Sequence, residues 1–172
     1  MSASERDREL ADAVRLRERG TPEGAEAART RLVALAARWP GDARIAYQTA
    51  WAHDVLGLEA AAVPYYERAL ADGASPGLPA DDRCEALLGL GSTYRVLGRY
   101  EEAERTLRRG VADFPDHGGL RAFLAMALFN TGRHDESVRL LLELLAATSA
   151  DPTVRPFRTA IEAYAKDLTG TV

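Results

Sequence analysis

Apolar positions recur at helical spacing along nearly the whole chain. Between Cys84 and Pro115, Leu87, Leu90 with Gly91, and Tyr94 form an i, i+3/i+4, i+7 stripe that Gly98 interrupts. Arg99-Tyr100-Glu101-Glu102 then opens a second helix. Ala103, Leu107, Gly110 with Val111, and Phe114 lie on one face of it before Pro115 stops it. Two helices of this length cannot bury both apolar faces against each other, so the pair must stack on similar pairs.

The punctuation repeats. Gly98-Arg99-Tyr100-Glu101-Glu102-Ala103 has a counterpart further on in Gly132-Arg133-His134-Asp135-Glu136-Ser137, at an offset of about 34. Gly57 opens the same slot one period earlier but for an excess of 7, which falls in the Gly/Pro-rich stretch Asp72–Pro79. Trp39-Pro40 and Phe114-Pro115 stand 75 apart, two periods plus the same 7, and each proline precedes the next turn glycine by 17. Four pairs are expected, at about 4–41, 42–75, 84–117 and 118–150, in a single domain spanning 1–172.

Outside the best pair, residues 1–19 predict a helix with Leu10, Ala13 with Val14, and Leu16 or Arg17 as its stripe. Gly20 ends it, and Thr21-Pro22 starts a helix to Trp39 carrying Ala25, Ala28, Leu32, Leu35 and Ala36. The next pair holds Ile45, Tyr47, Trp51 and Val55, then a helix that either begins near Ala60, making Pro64 harmless, or is kinked there. Asp72–Asp81 predicts a surface loop, and Asp82-x-x-Glu85 a capping box. Leu120–Phe129 is apolar nearly all round, so cover on more than one side is expected, partly from a final helix over 154–168 with Phe157, Ile161, Tyr164 and Leu168.

Composition narrows the class. The chain of 172 residues is 47% hydrophobic, 28% charged and 7% aromatic, with a formal net charge of -4. That favours helix over sheet and argues against a surface built to neutralise nucleic-acid phosphates. Lys166 is the only lysine, which reads as a coding bias. The single Cys84 forms no internal disulfide, the charged start MSASERDREL lacks an export core, and no run is long enough to span a membrane. A cytoplasmic location is expected.

The period of about 34 with half-period punctuation resembles the tetratricopeptide repeat (TPR) family, in a bacterial form with about four repeats. The slots of that pattern are filled by Leu87, Leu90-Gly91, Tyr94, Ala103, Leu107, Gly110 and Pro115. Ala62, Tyr66, Ala69 and Leu70 fill them in the preceding unit, and Leu124-Ala125, Leu128, Ser137, Leu141 and Leu144 in the following one. The resemblance implies an all-α fold: an α–α superhelix, a right-handed solenoid sealed by a C-terminal capping helix.

Candidate chemistry is sparse. His53, His117 and His134 lack metal-ligand spacing, so no metal or cofactor is expected. An enzyme built on His53, Asp54 and Cys84 is the weakest reading, and no catalytic residue is assigned. Gly89–Thr93 lies inside a helix stripe with no following lysine, which excludes a phosphate loop. Glu101, Glu102 and Glu104 alternate with Arg99, Arg105, Arg108 and Arg109 as a solvated face.

In the TPR family the first helices line a groove that captures a peptide or a partner helix. The resemblance places Arg44, Tyr47, Trp51, Asp54 and Val55 there, then Glu85, Leu88, Ser92, Arg95 and Val96, then Ala122, Met126, Phe129, Asn130 and Arg133. Where repeats that clamp an acidic chaperone tail place lysine and asparagine, this chain mostly offers tyrosine, tryptophan, leucine, serine, alanine and methionine, so that clamp is not expected. The expectation is therefore a non-catalytic adaptor holding a peptide or amphipathic helix, with neither nucleic acid nor membrane as partner. The alternative is a homodimer or scaffold using the apolar fourth unit and final helix. Burial of Trp51, Met126 and Phe129 by the chain's own ends would remove the groove.

Overall fold

The computed structural model describes residues 3–71 and 77–170. Among them are nine α-helices and no strand: α1 Ala3–Arg17, α2 Pro22–Arg38, α3 Ala43–Asp54, α4 Glu59–Ala69, α5 Ala80–Val96, α6 Tyr100–Asp113, α7 Gly118–Asn130, α8 His134–Thr148 and α9 Arg158–Lys166. The chain divides into two compact units, 1–98 and 99–172.

Glycine and proline set the helix ends for distinct physical reasons. Gly20, Gly57, Gly98 and Gly132 all adopt φ between 68° and 79°, the left-handed conformation that L side chains avoid. At Gly57 the turn closes with Leu58 N–H donating to the His53 carbonyl (3.1 Å) and Gly57 N–H to that of Asp54 (2.9 Å). Arg133 and Gly132 repeat this pair of bonds on Leu128 and Phe129. Trp39 and Phe114, each before a proline, leave the helical region at φ -130°, ψ 65° and φ -135°, ψ 69°, which stops α2 and α6.

The helix starts combine expected and unexpected caps. Thr21 accepts the Gly24 amide, with Pro22 in the first turn. Asp42 accepts the amides of Arg44 and Ile45 and pairs with Arg6 at 3.1 Å. His117 caps α7 through Nδ1, 3.1 Å from the Leu120 amide. The capping box expected at Asp82 does not form, because α5 begins two positions earlier, at Ala80 behind Pro79. Asp81 and Asp82 thus lie inside the first turn, where their charge favours the helix dipole. Helix α4 begins at Glu59 and runs through Pro64, which lies in its second turn on the exposed side. Of the expected loop, 72–76 lie outside the described residues, and 77–79 are non-helical.

In the first unit α3 is flanked by α1 and α5, with α2 packed on α1 and α3, and α4 on α3 and α5. Leu10, Ala13, Ala28, Leu32, Leu35, Ala36, Ile45 and Ala52 form one core cluster there. Small residues permit close approach: the Tyr66 ring occupies the space that a Cβ on Gly89 would take.

In the second unit α7 packs between α6 and α8, and α9 packs on α8. Gly110 accommodates Leu120, whose Cδ2 would lie 2.6 Å from an added Cβ, and the buried Ser137 hydroxyl donates to the Ala125 carbonyl at 2.6 Å. The final helix departs from expectation. Arg155–Phe157 form a 3-10 turn, and α9 buries Ala165 while Phe157, Tyr164 and Leu168 stay exposed. It lies on α8 and leaves Met126 and Phe129 of α7 open, so it is not the cover expected for that helix.

Candidate functional site

The candidate site of the first unit is the exposed face of α1, α3 and α5. On α3, the helical period turns Ile45, Thr49, Ala52 and His53 inward, and leaves Arg44, Trp51 and Val55 at the surface. Trp51 is 40% exposed and Val55 50%. Tyr47 is buried and lies tilted against Trp51, with ring centroids 5.8 Å apart. On α5, Leu88, Ser92 and Arg95 are partly exposed and Val96 is 61% exposed.

Arg17, from the end of α1, stacks on Trp51 with its guanidinium carbon 3.7 Å from the ring centroid. Its Nη1 donates to Gln48 Oε1 at 2.5 Å. Burial pulls its pKa below the ordinary arginine value, partly opposed by Tyr47 and Glu18. Both contacts join helices distant in sequence, and the helical stripe alone places Arg17 only as an alternative to Leu16.

Asp54 sits behind the same face. It accepts the Tyr66 hydroxyl at 2.6 Å, and Thr93 Oγ1 stands 3.1 Å from its Oδ1, which ties α3 to α4 and α5. Thr93 Oγ1 also lies 2.8 Å from the Gly89 carbonyl. Burial raises the Asp54 pKa, although both hydroxyls favour the charged form. When protonated, Asp54 can donate to Thr93 while Thr93 donates to Gly89, so every member keeps a partner. Tyr66 and Tyr47 are also pushed up, first by burial.

The trio His53, Asp54 and Cys84 does not converge on one reacting position. The His53 ring packs on Tyr65 with centroids 5.1 Å apart, and its Nδ1 lies 2.7 Å from the Thr49 carbonyl. Asp54 points to Tyr66 and Thr93 instead. Cys84 is buried, which raises its thiol pKa. Among the described residues no group of three or more His, Cys, Asp or Glu is placed to hold a metal ion.

In the second unit, α7 exposes Met126 and, at 60%, Phe129, whose ring meets His134 at 4.7 Å. Arg133 is held by Glu104 at 2.7 Å and Glu136 at 2.6 Å. Glu104 also takes Arg108 and the Thr131 hydroxyl, both at 2.8 Å, and Arg108 reaches Glu136 at 2.8 Å. The charge run therefore extends beyond neighbours on one helix into a network joining α6 to the α7–α8 turn. Its non-local half has no signature in sequence.

The tetratrico peptide repeat family matches residues 43–168. The chain belongs to the tetratricopeptide repeat family. No curated protein matches it. TPR proteins generally mediate protein–protein interaction and are typically non-catalytic. Among the described residues of this TPR chain, no helix is long and apolar enough to cross a membrane.

Proposed function

We propose that this TPR protein is a non-catalytic interaction module that holds a peptide or helix of a partner protein on the face of α1, α3 and α5. The observation that carries the reading is the exposure of Trp51, Val55 and Val96 on helices whose other large apolar side chains are mostly buried. Aromatic and aliphatic anchors flanked by arginine supply the chemistry of such interfaces. Met126 and Phe129 give α7 a smaller face of the same kind, while Arg133 is occupied by ion pairs. The proposed compartment is the cytoplasm, where a single cysteine needs no disulfide partner.

The test is selection of peptides from a displayed library against the whole chain, followed by calorimetry on variants. Val55→Asp and Trp51→Ala should weaken the selected peptides by tenfold or more, and Val55→Asp should leave the melting temperature within a few degrees. Unchanged affinity in both variants would count against this face.

A second observation supports self-association as another reading. Val138, Leu141 and Leu145 form an exposed i, i+3, i+7 stripe on α8, and Phe157, Tyr164 and Leu168 are exposed around α9. Both belong to the second unit, so this reading is independent of the first face.

A further inference from the structure

We propose that Arg17 is a receptor for a single carboxylate carried by the partner polypeptide, beside an apolar side chain that rests on Trp51 and Val55; this rests on the interaction face proposed above. The starting observation is a cation withdrawn from water that, among the described residues, has no carboxylate within ion-pair distance. Arg17 is 8% exposed, and among the described residues its partners are the Trp51 ring and Gln48, with no carboxylate in an ion pair. A desolvated charge without a counter-charge is costly, and a ring face and one amide oxygen compensate only in part.

The group is desolvated without being sealed. Trp39 Nε1 is the one fully buried side-chain polar atom among the described residues that lacks a partner. The unbonded Nε and Nη2 of Arg17, and the unbonded Tyr47 hydroxyl, therefore keep a path to solvent. With Nη1 committed to Gln48, these two nitrogens form the free edge of the planar guanidinium. Their two N–H bonds lie parallel and match the two oxygens of a carboxylate.

The surroundings weigh against a second negative charge on the ligand. Glu18 acts on Arg17, and Asp82 and Glu85 act on Tyr47, so the negative charge bordering the site opposes a phosphate dianion more strongly than a carboxylate. The arrangement uses one arginine, from α1, and differs from a clamp built of several lysines and asparagines.

The experiment follows the Arg17 Nε–H and Trp51 Nε1–H resonances of the full chain at neutral pH, with Trp39 as internal control. Three probes are titrated: N-acetyl-leucine, its uncharged amide, and inorganic phosphate. N-acetyl-leucine should shift both resonances saturably, with the amide and phosphate at least tenfold weaker. Arg17→Lys, which keeps the charge and loses the edge, should abolish saturation. The wild-type titration decides the matter even if that variant folds poorly. Equal binding of the amide, tighter binding of phosphate, or full retention by Arg17→Lys overturns the assignment. If library-selected peptides bind while N-acetyl-leucine does not, the receptor fails and the wider face stands; if neither binds, both fail.

Discussion

Asp54 shows how one residue can hold three helices together and make their stability depend on pH. Its carboxyl pKa is raised by burial, so the folded state binds the proton more tightly than the unfolded chain does. The stability this provides is fully present below the unfolded carboxyl value of about 3.9 and is lost as pH rises through the higher folded value. Asp54→Asn, which cannot ionise, removes the dependence. Paired denaturant titrations at intervals from pH 4 to pH 7 should show wild type losing ground to the variant as pH rises. A difference independent of pH would contradict the assignment. Sequence places Asp54 on an exposed slot of α3. Its bonds to Tyr66 and Thr93 reach other helices, the second of them far along the chain, so no local pattern announces them.

At the scale of elements, two kinds of glycine do different work, and substitution separates them. Around Gly57 no atom lies within 4 Å of an added Cβ, so Gly57→Ala should cost only the left-handed conformation, about 1–2 kcal/mol. Gly57→Asn should cost less than alanine, because asparagine tolerates that region. At Gly89 the backbone is helical and the Tyr66 ring fills the space, so Gly89→Ala should cost about 1–3 kcal/mol through overpacking, and Gly89→Asn more. Chemical denaturation of the four variants checks the reversed order of alanine and asparagine. The turn glycines are legible in sequence because a residue in the left-handed region is almost always glycine and recurs where each pair turns. Gly89 is hidden, since its reason lies on α4. The start of α5 also escapes sequence: Asp82 fits a capping box in composition, while Pro79, non-helical at φ -53° and ψ 155°, takes the cap position three residues earlier.

For the whole molecule, the all-α pairing and the family can be read from spacing, because period and punctuation are properties of the chain itself. Which apolar residues remain uncovered cannot, since that depends on what lies across from each helix. Phe157, Tyr164 and Leu168 have the spacing of a buried stripe and yet are exposed. The six half-exposed side chains on α8 and around α9 amount to roughly 500 Å² per copy, below the ~800 Å² per partner of a stable interface. A weak dimer is the expected result. Light scattering should give a mass that rises above 18.7 kDa with concentration, and Leu141→Asp with Tyr164→Asp should return it to that value. A constant 18.7 kDa at the highest concentration removes the second reading.

The lone thiol of Cys84 lies on the buried face of α5, in its second turn, shielded and held in its unreactive form. A disulfide reagent can therefore modify it only in molecules where that helix has come away. The labelling rate becomes a clock for local opening, read at one position without any engineered probe. A ligand that spans α3 and α5 should slow that clock in proportion to its occupancy.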